Sequence, residues 1–125
     1  MFTLRFDMRA PDSSPAKPVD LYRCALEMAE WGESRGAISA LVSEHHASPD
    51  GYLPSPLVLA SAVASRTTTV PISVSALLLL LYDPVKLAED MAVLDIVSGG
   101  RVGYVIGMGY RDEEYAMFGV DRRRR

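Results

Sequence analysis

The fold is decided by residues 70–110, which read VPISVSALLLLLYDPVKLAEDMAVLDIVSGGRVGYVIGMGY. Apolar residues alternate with polar or small ones at 70–75, which is the period-2 pattern of a strand. Asp83-Pro84 then provides a helix N-cap followed by a first-turn proline. Gly99-Gly100 is expected to end that helix, and a second strand follows at 102–106. The stretch therefore predicts two parallel strands joined by a helical crossover.

The same strand–helix unit recurs upstream of this stretch. Strands are predicted at Phe2–Met8 and Ala37–Ser43, and helices at Val19–Arg35 and Pro56–Arg66. A short fourth helix, capped by Asp112, is expected after the last strand. The strands begin at intervals of 32 to 34 residues, so each unit is one βα module.

Strict alternation of strands and helices predicts an α/β fold with all strands parallel. A closed (β/α)8 barrel needs eight modules and about 250 residues, whereas this chain of 125 residues holds four. We therefore expect residues 1–125 to form one truncated domain, the N-terminal half of a TIM barrel. Periodicity alone leaves a complete, open four-stranded sheet as the alternative.

Composition narrows the possible partners. The formal net charge is −3, and an acidic chain lacks the electrostatic attraction on which nucleic-acid binding depends. The longest apolar run, at 76–82, is far shorter than the ~20 residues that span a bilayer. With a single cysteine, Cys24, no internal disulfide can form. We expect a cytoplasmic protein that binds neither nucleic acid nor membranes.

The carboxyl ends of the predicted strands are the expected ligand-binding edge in both architectures. In chain order this edge carries Asp7, Arg9, Glu44, His45, His46, Ser75, Ala76 and residues 107–111. The run Leu77–Leu81 beside it is expected to be mostly core, with a second role as a dry wall for a reactive site.

Three interpretations of His45-His46 are open. A metal site is disfavoured, because adjacent side chains diverge and no H-E-x-x-H spacing is present. A structural role, in which the rings cap the loop or bond to carbonyls, is the second. We favour general acid/base chemistry, because histidine titrates nearest neutral pH, with Glu44 orienting a ring.

Gly107-Met108-Gly109 has two interpretations from spacing alone. It is either an ordinary tight strand-to-helix turn or a place where a flat ring approaches the backbone, since glycine has no Cβ. A dinucleotide-binding loop is disfavoured, because the third glycine is missing and the motif does not follow the first strand.

Seven sets of motifs occur in order along the chain, and together they resemble the bacterial-luciferase-like flavin-dependent monooxygenase family. They are Glu44-His45-His46, Pro54-Ser55-Pro56, Asp83-Pro84, Leu87-Ala88-Glu89-Asp90 with Leu94-Asp95, Ser98-Gly99-Gly100-Arg101, Gly107-x-Gly109-Tyr110-Arg111, and Glu113-Glu114-Tyr115 with Phe118-Gly119-x-Asp121. The resemblance implies a (β/α)8 barrel, which favours the half-barrel over the open sheet. It also implies an enzyme that oxidises paired donors with incorporation or reduction of molecular oxygen.

The resemblance further implies the cofactor and the roles of individual residues. Family members use reduced FMN or, in one branch, a deazaflavin coenzyme. His45 matches the family's catalytic histidine, and Glu44 belongs to the same motif. Ser75 and Ala76 match a non-proline cis peptide that supports the flavin ring, and Gly107 and Met108 match the turn beside it. No metal is implied.

The resemblance also bears on partners and on what the chain lacks. It implies a small organic substrate, O2, a homo-oligomer in the full-length form and a reductase that supplies reduced flavin. Leu80 stands where the family usually has proline, and the family's main phosphate-binding groups belong to later strands. Two alternatives therefore stay open beside the enzyme: a non-catalytic flavin-binding half-barrel and an inactive truncated fragment.

Overall fold

Four strand–helix units follow one another in the computed structural model, which describes residues 1–124. The strands are β1 (Phe2–Phe6), β2 (Ala37–Val42), β3 (Ile72–Leu78) and β4 (Val102–Gly107). The helices are α1 (Pro18–Ser34), α2 (Pro56–Arg66), α3 (Pro84–Ser98) and α4 (Asp112–Met117). Short 3-10 turns occupy Leu79–Leu81 and Arg122–Arg124.

The four strands form one sheet in the order β1-β2-β3-β4, and every neighbouring pair is parallel. The prediction of a parallel α/β fold is thereby confirmed. Because all strands run the same way, their carboxyl ends meet at one edge of the sheet, where the candidate functional residues were expected.

The core lies between one face of the sheet and the helices. Side chains of this face are buried, among them Leu4, Phe6, Val42 and Val74. Residues that alternate with them, such as Thr3, Arg5, Ser73 and Ser75, are exposed or half-buried. The helices therefore cover one face of the sheet only.

The ends of α3 follow the sequence signals closely. Asp83 is the N-cap, and its carboxylate accepts from the backbone N–H groups of Val85 and Lys86 at 3.0 and 2.9 Å. Gly99 ends the helix with a φ of 67°, in the left-handed region that glycine adopts without a steric penalty.

Asp112 was expected to cap α4, and this expectation is wrong. Arg111 occupies the N-cap position and Asp112 is the first helical residue. Its carboxylate bonds instead to the guanidinium of Arg122, so the side chain is engaged away from the helix N–H groups.

Several boundaries differ from the sequence-based expectation. β1 ends at Phe6 rather than Met8, because Met8 adopts a positive φ of 65°, which leaves the strand conformation. β3 begins at Ile72 and runs on to Leu78. Within the leucine run only Leu77 and Leu78 are buried, whereas Leu79 is exposed in the 3-10 turn. Gly107 is the last residue of β4 rather than part of the turn.

Among residues 1–124, no helix is long and apolar enough to cross a membrane. The same residues contain no cluster of three or more His, Cys, Asp or Glu side chains placed to hold a metal ion.

Candidate active site

His45 lies in the loop after β2, and its ring is held by a carboxylate from α4. Nδ1 of His45 is 3.1 Å from Oε1 of Glu114. The same oxygen accepts from the backbone N–H of His46 at 2.9 Å. The carboxylate oxygen accepts from both groups, so Nδ1 carries the proton, and in this tautomer Nε2 is a hydrogen-bond acceptor.

Nε2 of His45 has no hydrogen-bond partner among residues 1–124, and 18% of the side chain is exposed. The ring is therefore oriented through one nitrogen and open to a ligand through the other. This arrangement suits exchange of a proton with a bound molecule.

The Glu44 carboxylate makes no hydrogen bond to the His45 ring. It is almost fully buried, and its carboxylate accepts from the Tyr82 hydroxyl at 2.8 Å and from the backbone N–H of Leu78 at 2.7 Å. Its third partner is Nε2 of His46, at 2.8 Å. Glu44 therefore orients the second histidine of the pair and ties the loop after β2 to the end of β3.

Tyr82 stays a hydrogen-bond donor in this cluster. Burial of its ring, reinforced by the negative charge and the hydrogen-bond acceptor of Glu44, raises the pKa of the Tyr82 hydroxyl far above its ordinary value. His46 is enclosed further by Phe118, whose ring centre lies 4.6 Å from that of the imidazole. The His46 ring is thus buried between Glu44 and Phe118, whereas the His45 ring lines a cavity.

Glu114 is a residue of the candidate site whose contact with His45 was not predicted from the sequence. It was noted only as part of the Glu113-Glu114-Tyr115 motif, without a role. The side chain is 1% exposed, and its Oε2 has no hydrogen-bond partner among the described residues. Arg111 Nη1 lies 3.8 Å from Oε1. The signal available in the sequence was a carboxylate in the helix that follows β4, close to the same edge of the sheet.

A polar cavity of about 290 Å3 opens in front of His45. The Tyr52 and Tyr110 rings flank the imidazole at centroid distances of 4.3 and 5.9 Å, which are ordinary separations for packed rings. The guanidinium carbon of Arg9 lies 4.9 Å from the centre of the Tyr52 ring. The cavity is lined by Arg9, His45, Ser48, Asp50, Tyr52, Tyr110 and Arg111.

The ends of β3 and β4 bring Ser75, Ala76, Gly107 and Met108 together. The peptide bond between Ser75 and Ala76 is cis, as the family resemblance implies. The strand register shifts between Ser75 and Leu77, so Ala76 is an extra residue on that strand. A Cβ at Gly107 would lie only 2.7 Å from the Cβ of Ala76, so the two strands approach here as only glycine permits.

Tyr115 of α4 contacts the turn that follows β4. It is buried, and its hydroxyl donates to the carbonyl oxygen of Met108. The Met108 side chain is about half exposed. Adjacent residues of α4, Glu114 and Tyr115, therefore hold the two parts of the site, the histidine loop and the turn.

Comparison with known proteins identifies relatives that are much longer than this chain. An uncharacterized protein, y4wF, of Sinorhizobium fredii is 37% identical over 80% of this chain and 29% of its own length. The alkanal monooxygenase alpha chain of the Kryptophanaron alfredi symbiont is 31% identical over 77% of this chain and 27% of its own. The chain thus spans less than a third of the length of these relatives.

A solved structure shows the same backbone arrangement. The oxygenating constituent of 3,6-diketocamphane monooxygenase from Pseudomonas putida, a type II Baeyer-Villiger monooxygenase solved in complex with FMN, matches 95% of this chain and 32% of its own. The TM-score is 0.84 at 25% sequence identity. The match to a TIM-barrel monooxygenase supports the expectation of a partial barrel over a complete open sheet.

The family model described as luciferase-like monooxygenase matches residues 2–125. That match covers nearly every residue of the chain. The chain belongs to the luciferase-like monooxygenase family.

Proposed function

We propose that this chain supplies the ring-side and proton-transfer part of a flavin-dependent monooxygenase that uses reduced FMN, O2 and a small organic substrate. One observation carries the proposal: His45, held by Glu114 through Nδ1, presents Nε2 at the sheet edge that also carries Ala76 and Gly107. A proton-exchanging group and a small-residue surface thus share one edge.

The residues at the ends of β3 and β4 fit the ring end of a flavin. Ser75, Ala76 and Gly107 have small side chains or none, so a flat ring system meets no bulky group there. The half-exposed thioether of Met108 is flexible and polarizable, which suits contact with an aromatic system. None of these four residues is cationic. They therefore suit contact with the flavin ring and do not provide a site for its phosphate.

The roles within the chain follow from the contacts. Reduced FMN, when bound, would supply the electrons that activate O2. His45 accepts or returns a proton at Nε2, and Glu114 fixes the tautomer that makes this possible. Glu44 holds the loop from behind through His46, Tyr82 and Leu78. In this proposal Glu44 is a positioning residue and His45 the catalytic one.

The partners of the whole protein are part of the same proposal. The matched Pseudomonas putida protein is described as an oxygenating constituent, which supports a separate reductase as the source of reduced flavin. Apolar side chains exposed on α2 and α3, among them Val58, Val93 and Ile96, support a homo-oligomer joined through these helices. We place the enzyme in the cytoplasm.

The alternatives differ in what they require of His45. A non-catalytic flavin binder, or an inactive truncated fragment, needs no open nitrogen on an oriented imidazole. The Nε2 of His45 is open among the described residues, which favours the enzyme. A deazaflavin coenzyme would use the same ring-side surface and is distinguished by binding measurements with each cofactor.

Turnover in a full-length enzyme carrying this segment tests the proposal. We expect His45→Ala to lower kcat by about 10²–10⁴-fold, the usual loss for a positioned acid or base, while flavin affinity changes little. His46→Ala is the matched comparison, and we expect it to lower the melting temperature more than the rate per folded, flavin-loaded molecule. A His45→Ala enzyme that melts early but turns over normally would make His45 structural.

A further inference from the structure

The cavity in front of His45 has a lining without aliphatic side chains. Every residue that lines it carries a charged, hydroxyl, carboxylate or ring group. An alkyl chain placed there would displace water from charged groups without offering them hydrogen bonds, and such desolvation is unfavourable. The lining therefore selects against aliphatic ligands.

Most of the cavity's hydrogen-bonding groups that lack a protein partner among residues 1–124 are guanidinium N–H donors. Among residues 1–124, Arg111 uses only Nη1, which donates to the His46 carbonyl at 3.3 Å and lies near Glu114. Its Nε and Nη2 have no partner there. Arg9 gives Nε and Nη2 to Asp7 and retains Nη1. A ligand that is complementary to these open N–H groups carries oxygen atoms that accept hydrogen bonds.

The charges of the lining nearly cancel. Arg9 is paired with Asp7 at 2.7 Å, and Arg111 lies 3.8 Å from Glu114. Asp50 adds a negative charge and accepts from the Ser48 hydroxyl and the Tyr52 N–H. The cavity consequently has no strong preference for net charge, and a match of hydrogen bonds and shape decides what binds.

The shape of the lining favours a planar group. The Tyr52 ring is tilted by 37° to the His45 imidazole, the Tyr110 ring meets the imidazole edge-on at 72°, and the guanidinium of Arg9 covers one face of Tyr52. Aromatic rings that meet in stacked or edge-on contact gain stability beyond simple burial. A flat ring can exploit these faces, whereas a flexible chain cannot.

We propose that this cavity binds the polar end of a planar organic substrate, a ring bearing hydroxyl or carboxylate oxygens, and disfavours the alkyl chain of an aliphatic compound. As a statement about the substrate of the oxygenase, it rests on the proposed function. This preference for a planar polar substrate would distinguish the chain from the relative that is named an alkanal monooxygenase.

Two probes matched in charge and in number of non-hydrogen atoms test the proposal on the 125-residue chain: 4-hydroxybenzoate and octanoate. Each is titrated to millimolar concentration, and NMR shifts of His45, Tyr52 and the Arg111 side chain are recorded. We expect saturable shifts with 4-hydroxybenzoate and an affinity for it about tenfold or more above that for octanoate, which corresponds to about 1.4 kcal/mol.

Two variants locate the binding. Arg111→Gln removes the open donors and should weaken 4-hydroxybenzoate about tenfold, the scale of a hydrogen bond to a charged group. Arg35→Gln changes an exposed arginine at the opposite edge of the sheet, after α1, and should leave the affinity unchanged. If Arg111→Gln does not fold, Arg111→Lys, which keeps the charge and loses the planar fork, replaces it with the same expected direction.

Equal affinities, tighter octanoate binding, or no saturable shift of these residues with either probe would overturn the proposal. A separate titration with FMN, followed at Gly107 and Met108, reports on the flavin function. Selective 4-hydroxybenzoate binding without any FMN response would contradict the flavin-ring surface at Gly107 and Met108 and leave the polar cavity standing.

Discussion

At the scale of single residues, the carboxylate of Glu114 accepts from Nδ1 of His45 and from the backbone N–H of His46. Glu114→Ala removes both acceptors, so we expect the fixed Nδ1–H tautomer of His45 to be lost. Leaving the buried His46 N–H unpaired should also lower the free energy of unfolding by about 1–3 kcal/mol. Nitrogen-15 shifts of the imidazole report the tautomer, and urea denaturation reports the stability.

Glu114→Gln is the matched variant, because its amide oxygen can still accept from both donors. We expect it to keep the Nδ1–H tautomer and most of the stability. The same tautomer in Glu114→Ala as in the unaltered chain would show that Glu114 does not position His45.

Gly107 lies where β3 and β4 approach most closely. An added Cβ would lie 2.7 Å from the Cβ of Ala76, so Gly107→Ala should force the strand ends apart and destabilise the chain by about 1–3 kcal/mol. Gly103 is a glycine of the same strand with no atom within 4 Å of an added Cβ. Gly103→Ala should be neutral or stabilising by up to about 1 kcal/mol.

Urea denaturation of the two alanine variants measures the difference. Equal stability of Gly107→Ala and Gly103→Ala would mean that β3 and β4 do not approach as described.

Sequence reasoning located the histidine loop but not the partner of each ring. Glu44 was expected to orient a ring because it is adjacent to His45. In an extended segment neighbouring side chains point to opposite sides, whereas residues two apart share a side, so Glu44 meets His46. The partner of His45 is 69 residues away along the chain, and a contact at that separation depends on the strand order and not on local pattern.

At the scale of elements, Glu33 joins the end of α1 to the turn before β3. Its carboxylate accepts from the backbone N–H groups of Thr68, Thr69 and Val70. Burial raises the pKa of Glu33, but the hydrogen bonds from Thr69, Val70 and Thr68 outweigh it and lower the pKa from about 4.5 to about 2. The ionised carboxylate therefore stabilises the folded chain.

A carboxylate whose pKa is depressed on folding contributes stability above its unfolded pKa and loses it as the pH falls. We expect this contribution to be complete above about pH 5 and to disappear between about pH 4.5 and 2. Glu33→Gln should be less stable at neutral pH and should lose less stability across that window. Urea denaturation at several pH values measures both effects.

Glu27→Gln is the control, because Glu27 is an exposed residue of the same helix. It should reproduce the pH dependence of the unaltered chain. A Glu33→Gln chain with the same acid dependence as Glu27→Gln would contradict the role assigned to Glu33.

The order and type of the elements could be predicted because the signals for them lie within each segment. These signals are the hydrophobic periodicity and the proline or glycine residues at the ends of the helices. Asp83-Pro84 and Gly99 marked both ends of α3 correctly. Asp112 was misassigned because its side chain bonds to Arg122, a contact ten residues away. The exposed part of the leucine run was unpredictable for a similar reason, since burial there depends on what the 3-10 turn packs against.

At the scale of the whole molecule, one face of the sheet carries no helices. In a closed barrel that face becomes the interior, and the outer strands β1 and β4 each pair with a further strand. The periodicity gave the number of βα units but could not distinguish an open sheet from a barrel arc, because both have the same local pattern. The larger barrel of the matched monooxygenase favours the arc.

We propose that a flavin ring binds against Ser75, Ala76, Gly107 and Met108. The residues that bind its phosphate are expected on strands that follow β4. Titration of the labelled 125-residue chain with FMN, followed by NMR, tests it most directly. With the ring contacts alone, we expect a dissociation constant of roughly 100 µM or weaker, and shifts concentrated at these four residues and at His45. Submicromolar affinity, or shifts that leave these residues unchanged, would contradict the claim.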